Sequence, residues 1–423
     1  LPILSSESDS ALSVGSSGDE SDIRVESDEE LLNDDTVERK EKPSQEKHKR
    51  SYDSRYAVPT LEERQLMRDA EMQVELSMLE LEANEYVESI QLDHPCAEKV
   101  TAFLKSINAF LSQMPDKDIH SKDSPVFQRF VTDVKSDTKL HFSKPTAVYI
   151  IGSYIQKSRA PFPLTIDMTV QIPDTCLSEK DLVNWKYLNR RALYLHHIAT
   201  SLKERFPSYE MHYEWLHDDC DKPVLVLALP NTVCSCGSRL RILPVPSESV
   251  FPLSKLSLAH NNVHVTVDDA LPSTWFYNSM ILEDMLLNHY TQFILAQAHQ
   301  VPVLLRAGIL FRHWLATANL DPHVNGFIGT LFLALLVQQG RLTEAMSPWQ
   351  AFVVLLDVIG KLDATQPIHF HTRESLHPQE LKDASVFQLL DDSFGYLVSF
   401  RITQASMREV IQRASRHAEA IRG

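Results

Sequence analysis

The chain has 423 residues, of which 43% are hydrophobic and 23% charged, a composition that excludes collagen-like and wholly disordered proteins and predicts about two to four domains. Its 11 glycines form no Walker-type or G-x-G-x-x-G loop, which disfavours P-loop and dinucleotide-binding chemistry. The net charge of -16 disfavours a globally basic nucleic-acid-binding protein, and the longest apolar run, Phe327 to Val337, is too short for a membrane-spanning helix.

Residues 1–55 are predicted to form a disordered tail that is first acidic and then basic. The first 38 residues carry 12 acidic side chains and one basic one, and such a segment buries too little apolar surface to offset its chain entropy. Ser27 directly precedes an acidic cluster, and Ser17 is separated from another by Gly18; an acidophilic kinase such as casein kinase II phosphorylates serines in this pattern. We therefore expect a phosphoprotein tail.

A basic cluster follows the acidic segment. Between residues 39 and 50, six lysines or arginines accompany two glutamates. Two cationic runs on a flexible segment resemble a bipartite nuclear import signal, because they can lie along an acidic receptor groove. A solvated charge run is the alternative. The residues assigned to the import signal are Arg39, Lys40, Lys47, Lys49 and Arg50.

Residues 56–122 are predicted to form a helical hairpin that packs on the neighbouring core. Apolar residues recur at spacings of three and four between Met72 and Ile90, and a second amphipathic segment follows Pro95. Both patterns place the apolar side chains on one helix face, which must be covered by other parts of the protein.

Residues 123–271 are predicted to form an α+β domain with a mixed sheet. Its expected strands are 147–151, 164–172, 222–229 and 239–245, and a helix is expected over 182–206. Strand signals then stop, and residues 272–423 are predicted to form a mainly helical domain. Its expected helices are 274–300, 302–318, 326–338 and 346–359, followed by one or two strands within 385–400 and a helix over 407–420.

The five cysteines are an odd number and widely spaced, which indicates a reducing compartment. Cys234 and Cys236 form the only close pair, and no second pair has zinc-site spacing. We therefore expect no structural metal. No cofactor is predicted either.

The pattern that could carry chemistry lies at the first two strands of the sheet. Gly152 and Ser153 follow the first strand, and Asp167 and Thr169 share one face of the second. This is the layout of the nucleotidyltransferase fold, in which three carboxylates hold two magnesium ions. Thr169 replaces one of these carboxylates, and the strand expected to supply the third, residues 224–229, contains no acid.

The sequence thus predicts a degenerate nucleotidyltransferase, with no catalytic residue and with Gly152, Ser153, Asp167 and Thr169 as vestigial positions. A generic turn of an α/β protein is the alternative explanation for this pattern.

Several separate motifs, in order along the chain, resemble the Nrap family, the nucleolar RNA-associated proteins of the small-subunit processome. They are Lys144-Pro145, Gly152-Ser153-Tyr154, Ile166-Asp167, the run from Tyr187 to Leu195, Lys255-Leu256, the run from Asn261 to Val263, and the run from Asn325 to Phe327. The resemblance covers roughly residues 60–423. It implies a degenerate nucleotidyltransferase domain followed by a poly(A)-polymerase/OAS-like helical domain, at the amino-terminal end of a considerably longer chain.

The resemblance also implies ribosome biogenesis and rRNA processing in the nucleolus, inside a ribonucleoprotein. Pre-ribosomal RNA, an RNA-binding partner and casein kinase II are the implied partners, and no membrane is expected. The favoured function is a non-catalytic scaffold for pre-ribosomal RNA and assembly factors. Two alternatives are an active template-independent nucleotidyltransferase and a protein-interaction module without RNA contact. Arg190 and Arg191 are candidate RNA contacts, unless they simply face water.

Overall fold

The computed structural model describes residues 60–90, 94–123, 138–157, 163–234, 237–263, 274–374 and 377–422. The predicted tail lies outside these ranges, and its predictions stay untested; they concern Ser17, Ser27, Arg39, Lys40, Lys47, Lys49 and Arg50. The chain divides into two units, residues 5–75 and a larger unit that includes residues 76–423. Of the smaller unit, the structure describes residues 60–75, where the first helix begins.

The first elements are two helices, α1 (Leu61–Ser89) and α2 (His94–Leu111). The end of α1 buries Ala83 and Val87, and Tyr86 packs on His313 with ring centroids 4.4 Å apart. The predicted apolar face of α2 is buried, and it comprises Val100, Phe103, Leu104, Ile107 and Leu111. The end of α1 and the apolar face of α2 therefore join the core of the larger unit.

The predicted mixed sheet has five strands. They are β3 (Val148–Ile151), β4 (Thr165–Gln171), β5 (Met211–Trp215), β6 (Pro223–Ala228) and β7 (Arg239–Val245). Their order is β3-β4-β7-β6-β5; β4 and β7 are parallel, and the other neighbouring pairs are antiparallel. A separate ribbon of β1 (Lys117–His120) and β2 (Lys139–Phe142) comes before it. Sequence reasoning missed β1, β2 and β5, because each is only four or five residues long and mixes polar with apolar side chains.

Two helices connect the strands of the five-stranded sheet. The short α3 (Gly152–Ile155) directly follows β3, and α4 (Lys186–Arg205) lies between β4 and β5 in the chain. The helix predicted over 182–206 is confirmed, although it begins at Lys186 and Leu182 is the last residue of a separate 3₁₀ turn over Glu179–Leu182.

The remainder of the described chain is mainly helical, as predicted. Its elements are α5 (Trp275–Gln300), α6 (Val303–Thr317), α7 (Gly326–Gln338), α8 (Pro348–Gly360), β8 (Ile368–Phe370), β9 (Leu389–Asp391), β10 (Tyr396–Leu397) and α9 (Gln404–Arg422). The three short strands form a small sheet in the order β10-β9-β8. Among the described residues no single helix has the length and apolar character of a membrane span; α5 and α6, bent by 118°, meet the length and composition test only as a pair.

Sheet and helices share one continuous hydrophobic core, which extends from Leu240 and Ile242 of β7 to Leu331 of α7. On the other face of the sheet, a smaller apolar cluster packs against Leu287 of α5; it consists of Leu216, Val224, Val226 and Leu243. The predicted α+β class is thus confirmed. The domain boundaries at residues 55, 122 and 271 stay predictions.

Candidate functional site

The Gly-Ser turn and Asp167 lie together, as the sequence pattern predicts. Strand β3 ends at Ile151, whose register partner on β4 is Asp167. Gly152 follows with φ of +67°, and a Cβ at this position would lie 3.3 Å from Asp167 Oδ2. A side chain there would be strained by its backbone conformation and crowded by the carboxylate, so glycine allows the chain to turn directly beside Asp167.

Thr169 lies two residues further along β4, on the same face of the strand as Asp167. Its side chain is fully buried, and its hydroxyl donates to Asn288 Oδ1 of α5 at 2.8 Å. Helix α5 therefore covers the position at which a second carboxylate would project from this strand.

The prediction that residues 224–229 hold the position of the third carboxylate was wrong. These residues lie in β6, which is not a neighbour of β4. Strand β4 lies between β3 and β7, and the register partner of Asp167 on β7 is Arg241. The Nε of Arg241 donates to Asp167 Oδ1 at 2.6 Å. Burial acts to lower the pKa of Arg241, but the hydrogen bond and the charge of Asp167 raise it above its ordinary value. A permanent cation thus stands where metal binding would need a third carboxylate.

These residues do not fit the two magnesium ions that a nucleotidyltransferase requires. Magnesium takes oxygen ligands in near-octahedral geometry, and bridging two ions requires several carboxylates that converge. Strand β4 brings one carboxylate to this site, that of Asp167, and the guanidinium of Arg241 already pairs with it. A second cation placed here would be repelled by Arg241.

A cleft of about 280 Å³ opens beside this ion pair. It lies among the sheet, α3, α5, the beginning of α7 and the segment after β10. Its charged and polar lining includes Ser153, Asp167, His217, Arg241, Glu283, Arg312, Asn325 and Arg401. Sequence reasoning missed all three of these arginines, because they come from elements distant in the chain.

Arg312 of α6 reaches the cleft because α7 begins with a glycine. A Cβ on Gly326 would lie 2.5 Å from both Cγ and Nε of Arg312, so any larger residue would displace this arginine. Removal from water lowers the pKa of Arg312 to about 10, although the charge of Asp167 acts to raise it. The guanidinium therefore keeps its charge at neutral pH.

Arg401 belongs to a second, deeper group of charges. Its Nη1 pairs with Asp219 at 2.8 Å and its Nη2 with Glu283 at 3.1 Å. Glu283 also accepts from Lys222 Nζ at 2.6 Å. Burial acts to raise the pKa of Glu283, but Lys222 and Arg401 outweigh it and hold this pKa at about 2.

The proposal that Arg191 contacts RNA is contradicted by its burial. Its side chain is fully buried, and it forms an ion pair with Asp284 at 2.9 Å and donates to the carbonyl of Pro223 at 2.7 Å. Arg191 thus holds α4 to α5 and to the start of β6. Arg190 is half-buried and pairs with Asp181 at 2.9 Å; its contact with RNA stays a prediction.

Only one group of three candidate metal ligands occurs within the described ranges, Asp219, Cys220 and Asp221. One of its carboxylates, that of Asp219, already pairs with Arg401. Exposed acidic loops are common without an ion, so this group does not indicate a metal centre.

Comparisons with known proteins extend these observations. Residues 109–300 match the family described as Nrap protein domain 1. The chain is 26% identical over 331 residues to Nucleolar protein 6 of Xenopus laevis and 25% identical over 333 residues to Nucleolar protein 6 of Homo sapiens. Each match covers 73% of this chain and 29% of the relative. The chain therefore spans less than a third of the length of these relatives.

Two solved structures are similar to this chain over most of its length. The complex of CdnC with HORMA-deltaN from E. coli MS115-1 matches with a TM-score of 0.48 and 16% identity, covering 81% of this chain and 90% of the other. The Cid1 poly(U) polymerase bound to Mg 3'-dATP matches with a TM-score of 0.47 and 7% identity, covering 82% of this chain and 95% of the other.

Proposed function

We propose that the chain is a member of the Nrap family, whose domain 1 matches residues 109–300, and that it is a non-catalytic scaffold in ribosome biogenesis. It acts in the nucleolus, the location given in the name of its relatives. Its partners are pre-ribosomal RNA and proteins of the small-subunit processome, including an RNA-binding protein and casein kinase II. The single observation that carries the non-catalytic part is the ion pair between Arg241 and Asp167.

The ion pair and Thr169 together support a pseudoenzyme, because two-metal catalysis needs several carboxylates that are available to bind metal ions. The charge of Asp167 is already matched by a guanidinium at 2.6 Å, so its affinity for a divalent cation is low. Thr169 offers only a hydroxyl, which is hydrogen-bonded to Asn288. The other acid that lines the cleft, Glu283, is already paired with Lys222 and Arg401, so it does not complete a metal site with Asp167.

The charged group beneath the cleft supports a rigid scaffold. Lys222 is fully buried and bridges Glu283 at 2.6 Å and Asp284 at 2.8 Å. Lys222 directly precedes β6, and both acids lie on α5. These ion pairs therefore connect the sheet to the helix and favour one relative position of the two sides of the cleft.

The scaffold function is tested by crosslinking with mass spectrometry on purified pre-ribosomal particles that contain the tagged full-length protein. The proposal expects crosslinks from residues 60–423 both to ribosomal RNA and to assembly proteins. Absence of the protein from these particles, or crosslinks to unrelated complexes only, would overturn it.

A protein-interaction module without RNA contact is a second candidate, and the charge balance favours it. Residues 51–423 carry 43 acidic and 34 basic side chains, and an acidic protein repels the RNA backbone unless its cations are clustered. Binding of short ribosomal RNA fragments at two salt concentrations separates the candidates. A scaffold for RNA shows salt-dependent binding, whereas the interaction module shows none.

A further inference from the structure

The cleft concentrates positive charge in an otherwise acidic protein. Its lining contains three arginines, Arg241 of β7, Arg312 of α6 and Arg401 after β10. It also contains two acids, Asp167 and Glu283. The lining therefore has an excess of one positive charge, whereas the whole chain has a net charge of -16. A cleft with low-dielectric walls strengthens the attraction between such a charge and an anion.

Both acids of the lining are already matched by cations. Asp167 accepts from Arg241 at 2.6 Å, and Glu283 accepts from Lys222 at 2.6 Å and from Arg401 at 3.1 Å. Neighbouring protein cations therefore neutralise both carboxylates, so these acids repel an anion in the cleft only weakly.

Hydrogen-bond donors remain available at the edge of the cleft. Arg241 uses its Nε for Asp167, and no other described residue engages its terminal Nη atoms. The hydroxyl of Ser153 has no hydrogen-bond partner in the described part of the chain either. A guanidinium with free terminal nitrogens can bind two oxygens of one phosphate group at once.

The amino-terminal end of α7 adds to the positive electrostatic potential of the cleft. Asn325 caps this 13-residue helix by accepting from the backbone N–H of Ile328 at 3.2 Å, and Gly326, Phe327 and Ile328 line the cleft. The positive end of the helix dipole therefore lies beside Arg312, and both favour a bound anion.

We propose that this cleft binds the phosphate group of a nucleotide or of an RNA end without a divalent cation. The guanidiniums of Arg241 and Arg312 supply the positive charge that metal ions supply in an active transferase. The volume of about 280 Å³ is near the lower end for ligand pockets, which suits pyrophosphate or a mononucleotide. The proposal is independent of the scaffold function, which needs no ligand here.

Calorimetry on the purified chain in EDTA tests the proposal with three ligands: inorganic pyrophosphate, UTP, and a short RNA with a 5′-phosphate. Arg312→Gln and Ser153→Asp should each weaken binding at least about tenfold, because each removes or opposes one charge-assisted contact. Arg413→Gln is the matched control, since Arg413 forms an exposed pair with Glu409 on α9. Circular dichroism establishes that each variant is folded.

Binding in EDTA that falls in both cleft variants and is unchanged in Arg413→Gln supports the proposal. Binding of the RNA with the same sensitivity identifies an RNA end as the source of the phosphate, whereas binding of UTP alone identifies a free nucleotide. Absence of binding in EDTA, binding that appears only with magnesium, or equal binding in all folded variants would overturn the proposal.

Discussion

Two arginine–aspartate pairs in this chain have the same chemistry and different surroundings. Arg191 and Asp284 lie in the core, fully buried, with their nitrogen and oxygen 2.9 Å apart. Arg241 and Asp167 lie beside the cleft at 2.6 Å, with 27% and 16% of their side chains exposed. The core pair can only join elements of the fold, whereas the cleft pair can also meet a ligand. Exposure, and not residue type, therefore separates the structural arginine from the candidate functional one.

The largest expected effect comes from breaking the core pair. Asp284→Asn keeps the side-chain shape but removes the charge that faces Arg191 and Lys222. We expect the free energy of unfolding to fall by about 3–5 kcal/mol, as for other buried pairs that lose one partner. Urea unfolding followed by circular dichroism measures it. A loss below about 1 kcal/mol would show that the core pair has no structural role.

Acid should weaken the charged group of Lys222, Glu283 and Arg401, which reaches the core pair through the contact of Lys222 with Asp284. The folded pKa of Glu283 is about 2, against an ordinary value of 4.5. Because the folded value is the lower one, this carboxylate stabilises the fold fully above about pH 4.5, and the contribution is lost as the pH falls through about 2. The difference corresponds to on the order of 3 kcal/mol.

Urea unfolding at several pH values between neutrality and about pH 3 measures the part of this loss that occurs above pH 3. Glu283→Gln cannot titrate, so its stability should fall less steeply over the same range. Parallel curves for the two proteins would contradict the role of Glu283.

The cleft pair can be converted into a metal site. Arg241→Asp places two carboxylates on register partners of neighbouring strands, and we expect Mn²⁺ to bind at least about tenfold more tightly than to the unmodified chain. Arg239→Asp is the matched control, because Arg239 lies on the same strand but pairs with Glu214. Calorimetry with Mn²⁺ compares them. Equal affinity of the two variants would show that Arg241 does not occupy a metal position.

The smallest effect is expected from breaking the cleft pair without replacing its arginine. Asp167→Asn should change the free energy of unfolding by no more than about 1 kcal/mol, because water can solvate the remaining guanidinium. The same urea measurement as for Asp284→Asn gives the comparison directly. A loss as large as that of the core variant would make Asp167 a structural residue.

The sequence predicted the local features of the site, because these depend on neighbouring residues. Alternation along β4 placed Asp167 and Thr169 on one face, and the Gly-Ser turn followed the first strand as expected. The position of Arg241 depends on strand order instead. Strand β7 pairs with β4 in parallel although β5 and β6 lie between them in the chain, and no local pattern specifies that arrangement.

Arg191 shows a signal that the sequence contained and that the prediction did not use. Tyr187, Arg191, Tyr194, Ile198 and Leu202 follow the spacing of one helix face, and all five are buried. A charged residue on a buried stripe indicates a partner charge in the core. Its identity, Asp284 on α5, could not be predicted, because it requires the tertiary packing of two distant helices.

Primer extension tests most directly the proposal that the cleft carries out no nucleotidyl transfer. Labelled ATP, CTP or UTP is incubated with short RNA primers and the purified chain, with magnesium or manganese, next to Asp167→Ala. The ion pair of Asp167 with Arg241 predicts no extension by either protein. Extension by the unmodified chain that disappears in Asp167→Ala would contradict the claim and identify an active template-independent nucleotidyltransferase.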